Sequence, residues 1–258
     1  LHLEDELDPL VTRLHVLRSE LGAGGHEGDR AGAGLAVVGL HLHHLPEAQP
    51  REVGLGHVDR EPGLVEIGDD AEAGAGLKDL AIRTLPARVE RIEKPAEDVA
   101  ILHLKLPAAD RLQFLAGQYI DILMKGGIRR SYSMANAPHD DTHLQLHVRR
   151  TPGGAFSRYV FEEMKERAII RFEGPLGSFY LREDSDKPMI LVAGGTGFAP
   201  VKAVIEHAFH KGIDRQMVLY WGVRSRKDLY MIHLPERWER EHPNFSFVPV
   251  LSEPKPED

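Results

Sequence analysis

The sequence predicts a β-barrel joined to an α/β unit: a six-stranded antiparallel barrel, then the opening of a doubly wound parallel sheet. Two changes of texture predict it. From Leu85 onward, short runs alternate apolar and polar residues, the period of half-buried strands. From Met189 the apolar runs become continuous and are separated by helical patterns, as in a parallel sheet covered on both faces. A third observation sets these units apart from what precedes them. Residues 1–77 hold none of the 17 aromatic residues, and the first lysine is Lys78.

The elements follow in order. Leu85–Ile92 and Val99–Leu106 read as strands, the second with Ile101, His103 and Lys105 opposite Leu102, Leu104 and Leu106. Gln118–Met124 is a third strand, closed by the turn residues Lys125-Gly126-Gly127. Arg129–Ala135 and His143–Arg149 follow, separated by the turn-rich Pro138-His139-Asp140-Asp141. Phe156–Lys165 reads as a helix and Ala168–Phe172 as the last barrel strand. The second unit reads as strand Met189–Val192, helix Ala199–His210, strand Gln216–Trp221, helix Pro235–Glu241 and strand Phe245–Leu251. The expected division is 1–77 unclassified, 78–184 the barrel and 185–258 a partial α/β domain, because three parallel strands are few for a doubly wound sheet.

Composition excludes several classes. The 258 residues include no cysteine, which rules out disulfides, a cysteine nucleophile and thiolate-held zinc or iron–sulfur clusters in this chain. A net charge of −8 argues against nucleic acid as a partner. No apolar run is long enough to cross a membrane, and the acidic first ten residues do not resemble a signal peptide, so a cytoplasmic protein is expected. The negative charge belongs to the leading segment alone, where 15 acidic residues face five arginines. Two readings of 1–77 stay open: a disordered extension, or a stretch that is not a native reading frame, given its dominance by residues with G/C-rich codons. Leu1 in place of Met suggests a fragment or processed product. His41, His43 and His44, with His26 and His57, form a histidine-rich patch there; incidental histidines are the better reading, and no metal site is expected.

Three loops carry chemistry. Arg130-Ser131-Tyr132-Ser133 places a cation, a flat ring and hydroxyls on one strand, suited to a phosphate, a planar ring and a ring nitrogen. Thr151-Pro152-Gly153-Gly154-Ala155-Phe156-Ser157 leads into a helix, whose N-terminal N–H groups favour anions; Ser157 either caps the helix or donates to a phosphate. Ala193-Gly194-Gly195-Thr196-Gly197-Phe198-Ala199-Pro200 lies between a buried strand and a helix, where an open α/β sheet binds a pyrophosphate.

These loops occur in order with Gly117-Gln118-Tyr119, Met134-Ala135-Asn136, Gly174-Pro175-Leu176-Gly177 and Tyr220-Trp221-Gly222-Val223-Arg224. Over residues 78–258 the set resembles the ferredoxin–NADP reductase superfamily, most of all reductases of the CDP-6-deoxy-glucoseen reductase type, oxygenase reductase components and flavin reductases. The resemblance implies an FAD-binding barrel and an NAD(P)-binding domain. It implies that Arg130 meets the FAD pyrophosphate, that Tyr132 packs on the flavin or ribityl chain, and that Ser133 sits where hydride arrives, so Ser133 and Tyr132 are the expected catalytic residues. His147, Val148 and Arg149 would line the flavin's pyrimidine side, and Gly154 and Ser157 would hold phosphate. Gly195, Thr196 and Gly197 would hold the dinucleotide pyrophosphate, with Gly222 and Arg224 beside its adenosine half. The implied activity is hydride transfer from NAD(P)H to FAD, then electron delivery to an iron–sulfur protein, an oxygenase or dehydratase partner, or a small molecule such as free flavin. The alternative is a truncated flavin-binding remnant without NAD(P)H turnover. Two departures stand out. No cysteines are present to hold the [2Fe–2S] cluster common in such proteins, and the family's C-terminal Cys-Gly motif is absent.

Overall fold

The computed structural model describes residues 80–254. The expectations for residues 1–77, including the histidine-rich patch, lie outside the described residues. Six strands form one antiparallel sheet: β1 (Arg83–Ala96), β2 (Val99–Lys105), β3 (Tyr119–Leu123), β4 (Arg129–Ser133), β5 (Leu144–Arg149) and β6 (Ile169–Leu176). Their spatial order is β4-β3-β6-β1-β2-β5. The expected barrel is corrected in one respect: it does not close by a ladder. Its edge strands, β4 and β5, meet only at the isolated bridge between Met134 and Leu146. Helix α1 (Ala155–Glu162) packs Phe156 and Val160 into the barrel core with Leu102, Ile120, Leu146 and Phe172.

Strand bounds shift for local reasons. β1 runs longer than its apolar alternation because bulges near Val89/Arg91 and Glu93/Ala96 let it continue past Ile92. Gln118 leaves the ladder: its Oε1 accepts from the Leu115 N–H at 2.8 Å and its Nε2 donates to the Gly177 carbonyl at 3.0 Å. Helix α1 stops short of Lys165, because the Met164 N–H bonds back to Tyr159 O and Arg167 turns into left-handed backbone at φ 72°.

The second unit is a three-stranded parallel sheet, β7 (Met189–Gly194), β8 (Met217–Val223) and β9 (Phe245–Leu251), in that order, with α2 (Phe198–His210) and α3 (His233–Glu241). Phe198 and Trp221 stack face to face in its core, centroids 3.9 Å apart. This core also takes in Val99 and Ala116 from the first unit, so the two units share apolar packing. Ile101, on the face of β2 opposite Leu102 and Leu104, is buried as well. Among the described residues no helix is long and apolar enough to cross a membrane.

Candidate functional site

The open barrel edge creates the site. Apart from the Met134–Leu146 bridge and the bonds of Gln145 beside it, β4 is laddered with β3 alone and β5 with β2 alone, so no ladder joins their facing sides. Arg130–Ser133 forms one lip and His147–Arg149 the other.

On the first lip, neighbouring arginines differ in what holds them. Arg129 is clamped by Glu173 at 2.7 and 3.2 Å, with Asp121 at 3.4 Å. Arg130 is exposed, donates only to the Arg129 carbonyl at 2.7 Å, and has no carboxylate partner among the described residues. Ser131 is spent on Asp121 Oδ1 at 2.7 Å. Ser133 is half-buried, and its hydroxyl has no bonding partner among the described residues. Tyr132 packs against Phe156 with centroids 5.1 Å apart, and burial pushes its phenol up to about 12. A free cation, a fixed ring and an uncommitted hydroxyl therefore share five residues of strand.

The second lip offers less side chain than expected. Val148 points into the barrel core, and His147 turns away from the edge to bond Tyr230 Oη through Nδ1 at 2.7 Å. What these two residues can present to the slot is backbone. Arg149 is anchored by Asp98, Nε to Oδ2 2.7 Å, and its guanidinium lies over the second unit's glycine turn: a Cβ added to Gly195 would come within 2.6 Å of Arg149 Nη1.

The 151–157 loop is a built turn. Pro152 and Gly153, the latter at φ 73°, occupy its corner, and the Gly154 N–H closes it on Thr151 O at 3.0 Å. Gly154 is the residue that leads into α1. The Ser157 hydroxyl folds back on the loop, accepting from the Thr151 N–H at 3.1 Å and lying 3.2 Å from Gly154 O. It caps nothing in the helix and holds the turn's shape; any anion there would meet backbone N–H groups.

At the end of β7, Gly195 adopts φ 49°, and its carbonyl accepts from Trp221 Nε1 at 2.9 Å. Thr196 and Gly197 complete one 3₁₀ turn before α2. A Cβ at Gly197 would meet nothing within 4 Å, so protein packing does not demand that glycine. The space over it is open to a ligand approaching the backbone. Gly222 sits beside Gly194 in the parallel ladder, which keeps the strand ends free of side chains. Beyond it Arg224 is 65% exposed, 3.9 Å from Asp228. Asp228 is occupied by the Ser225 N–H and hydroxyl at 3.0 and 3.1 Å, and Arg226 pairs with Glu236 at 3.1 Å.

Sequence reasoning missed Asp98, Lys202 and Tyr230. Lys202 is buried and donates to Ala135 O at 3.1 Å and to Glu206 at 2.8 Å, tying α2 to the end of β4. No local pattern marks any of the three, since each acts on a residue more than fifty positions away.

The slot, with an arginine that has no carboxylate partner among the described residues, lies beside a glycine turn at the carboxyl end of a parallel sheet, an arrangement of two units suited to nucleotide ligands. Residues 86–180 match the oxidoreductase FAD-binding domain family and residues 191–258 the oxidoreductase NAD-binding domain family. The chain belongs to the ferredoxin–NADP reductase superfamily. It is 44% identical over 176 residues to the CDP-6-deoxy-L-threo-D-glycero-4-hexulose-3-dehydrase reductase of Yersinia pseudotuberculosis, covering 68% of this chain and 53% of that one. An aromatic O-demethylase reductase subunit from Amycolatopsis is 37% identical over 250 residues, covering 95% of this chain and 70% of the other. The crystal structure of the Amycolatopsis cytochrome P450 reductase GcoB superposes with a TM-score of 0.64 at 40% identity, over 69% of this chain and 55% of that one. The chain thus spans about half the length of the Yersinia relative.

Proposed function

We propose that this chain carries out NAD(P)H-dependent reduction of bound FAD and delivers the electrons to a separate acceptor. The observation that carries the reading is the approach of the open barrel edge to the glycine turn of the parallel sheet. Arg149, on the flavin-side lip, lies over Gly195 of the dinucleotide turn. FAD, when bound, supplies a two-electron acceptor that can release its electrons singly or in pairs.

The residues present fit that group. Arg130 is the uncommitted cation for its pyrophosphate, and the N–H groups at the start of α1, shaped by Gly154 and Ser157, suit the same anion. The Tyr132 ring gives the flat system a wall. β5 backbone on the side away from β2 can bond the ring edge. Ser133 donates its hydroxyl where negative charge develops as hydride arrives, a role felt in the transition state. Gly195, Thr196 and Gly197 admit the dinucleotide pyrophosphate to bare backbone, Arg149 adds its charge from the other unit, and Gly222 and Arg224 face the adenosine half. The named relatives serve a hexulose dehydrase and an aromatic O-demethylase, which supports a protein acceptor of the dehydratase or oxygenase kind.

The test is anaerobic. The purified full chain is expected to take up FAD, and its flavin absorbance to bleach on addition of NADPH or NADH. Stoichiometric FAD without bleaching by either nucleotide would overturn the reading.

A further inference from the structure

A closed circuit of contacts joins the flavin-side lip to the dinucleotide turn. Arg149 and His147 lie on the same face of β5. Arg149 lies over Gly195. The Gly195 carbonyl is held from the other side by Trp221 Nε1 at 2.9 Å. Trp221 packs edge-on against Tyr230, centroids 5.4 Å apart at 89°. Tyr230 then returns to β5 through its 2.7 Å bond with His147 Nδ1, across 83 residues of sequence.

Both ends of that last bond are buried, His147 at 4% exposure and Tyr230 at 8%. Lys202, His103 and Arg149 are the charged or titratable groups whose fields reach the pair. Desolvation holds the imidazole near 3, so it is neutral at working pH and offers one donor and one acceptor nitrogen. Nε2 is buried with no hydrogen-bond partner among the described residues, so the Nδ1–Oη contact is the side chain's one hydrogen bond, whichever of the two atoms donates. In an apolar interface such a bond is directional where the surrounding ring packing is not.

We propose that Tyr230 is a positioning residue: through His147 it fixes the distance between the flavin-side lip and the dinucleotide turn, and so the approach of the two ring systems. The inference rests on the functional reading above. Hydride transfer is steep in distance, so a displacement of about 1 Å costs up to about 10²-fold in rate. Tyr230 itself touches neither reacting ring.

Tyr230→Phe keeps the ring on Trp221 and removes only the hydroxyl. Flavin reduction at saturating nucleotide is expected to slow by about tenfold or more, with FAD affinity held within about twofold. His147→Gln retains a partner for the hydroxyl and should recover most of the rate, whereas His147→Ala should not. The second readout needs no cofactor. In the flavin-free full chain, Tyr230→Phe should raise amide hydrogen exchange in 145–149 and 193–197 while the rest of the barrel keeps its protection. An unchanged reduction rate with unchanged exchange in those segments overturns the proposal. So does a general rise in exchange across the barrel, which marks a merely structural residue. If the unaltered chain binds no flavin or reduces none, the functional reading fails, and the exchange data alone decide whether Tyr230 holds the turn.

Discussion

Arg129 and Arg130 are adjacent on β4, yet among the described residues only Arg129 of the two has carboxylate partners. Substituting them should therefore have different consequences. Arg130→Ala is expected to weaken FAD binding by about 1.5–3 kcal/mol, the worth of a charge-assisted bond, with little change in reduction rate once flavin is saturating. Ser133→Ala should do the reverse, slowing reduction by about 10²-fold with FAD affinity nearly unchanged. Titrating FAD by fluorescence and following reduction by stopped flow separates the two; equal effects on binding and rate would refute the assignment. Nucleotide choice is also decided residue by residue. Arg224 is exposed beyond Gly222, while Arg226 is drawn onto Glu236. Cations beside the adenosine ribose suit a 2′-phosphate, so NADPH should be preferred. Arg224→Ala should erode the NADPH/NADH ratio of kcat/KM more than Arg226→Ala; a strong NADH preference untouched by either contradicts this.

At the scale of elements, the 151–157 loop shows how a turn prepares a helix end. Ser157→Ala removes the acceptor for the Thr151 N–H and should cost about 1 kcal/mol of stability. It should also weaken FAD binding, measured by urea unfolding and flavin titration on the same sample; unaltered flavin affinity would show that the turn's shape is immaterial to the ligand. This loop was legible in the sequence, because Pro152, Gly153 and Gly154 impose a turn by their own backbone preferences. The strand periodicities and the β7–turn–α2 unit were legible for the same reason: their causes are local. The barrel's open edge was not, since periodicity counts strands without saying whether the first and last pair. Ser157 was read as a cap or a phosphate donor, but its hydroxyl is consumed within the loop, which depends on loop geometry that sequence does not show.

At the scale of the whole molecule, the interface between units is rich in histidine. His139 of the β4–β5 loop stacks on His210 of α2 at 3.7 Å and approaches His207 Nδ1 at 3.3 Å. Glu183, which also bonds Lys211, bonds His207 at 3.1 Å, and Asp140 lies near His139. Burial lowers the pKa of His139 and His207, and that of His147 falls to about 3. The unfolded chain therefore binds more protons than the folded one below the ordinary value of 6.5. For His147, stability is full above that pH and declines as pH drops toward 3, by up to about 1.4 kcal/mol per pH unit. Urea unfolding at stepped pH should show this slope, and His147→Gln should flatten it; stability independent of pH between 7 and 5 would be the contrary result.

The shared core has a consequence for modularity. Val99 and Ala116 belong by sequence to the antiparallel unit but pack with Leu191, Val201 and Leu219 of the parallel one. A cut through the linker near residue 184 would leave both halves with an exposed apolar face, so neither is a clean cassette. Chimeras that exchange the nucleotide-binding half between relatives should succeed only when the donor's outer surface of β2 travels with it.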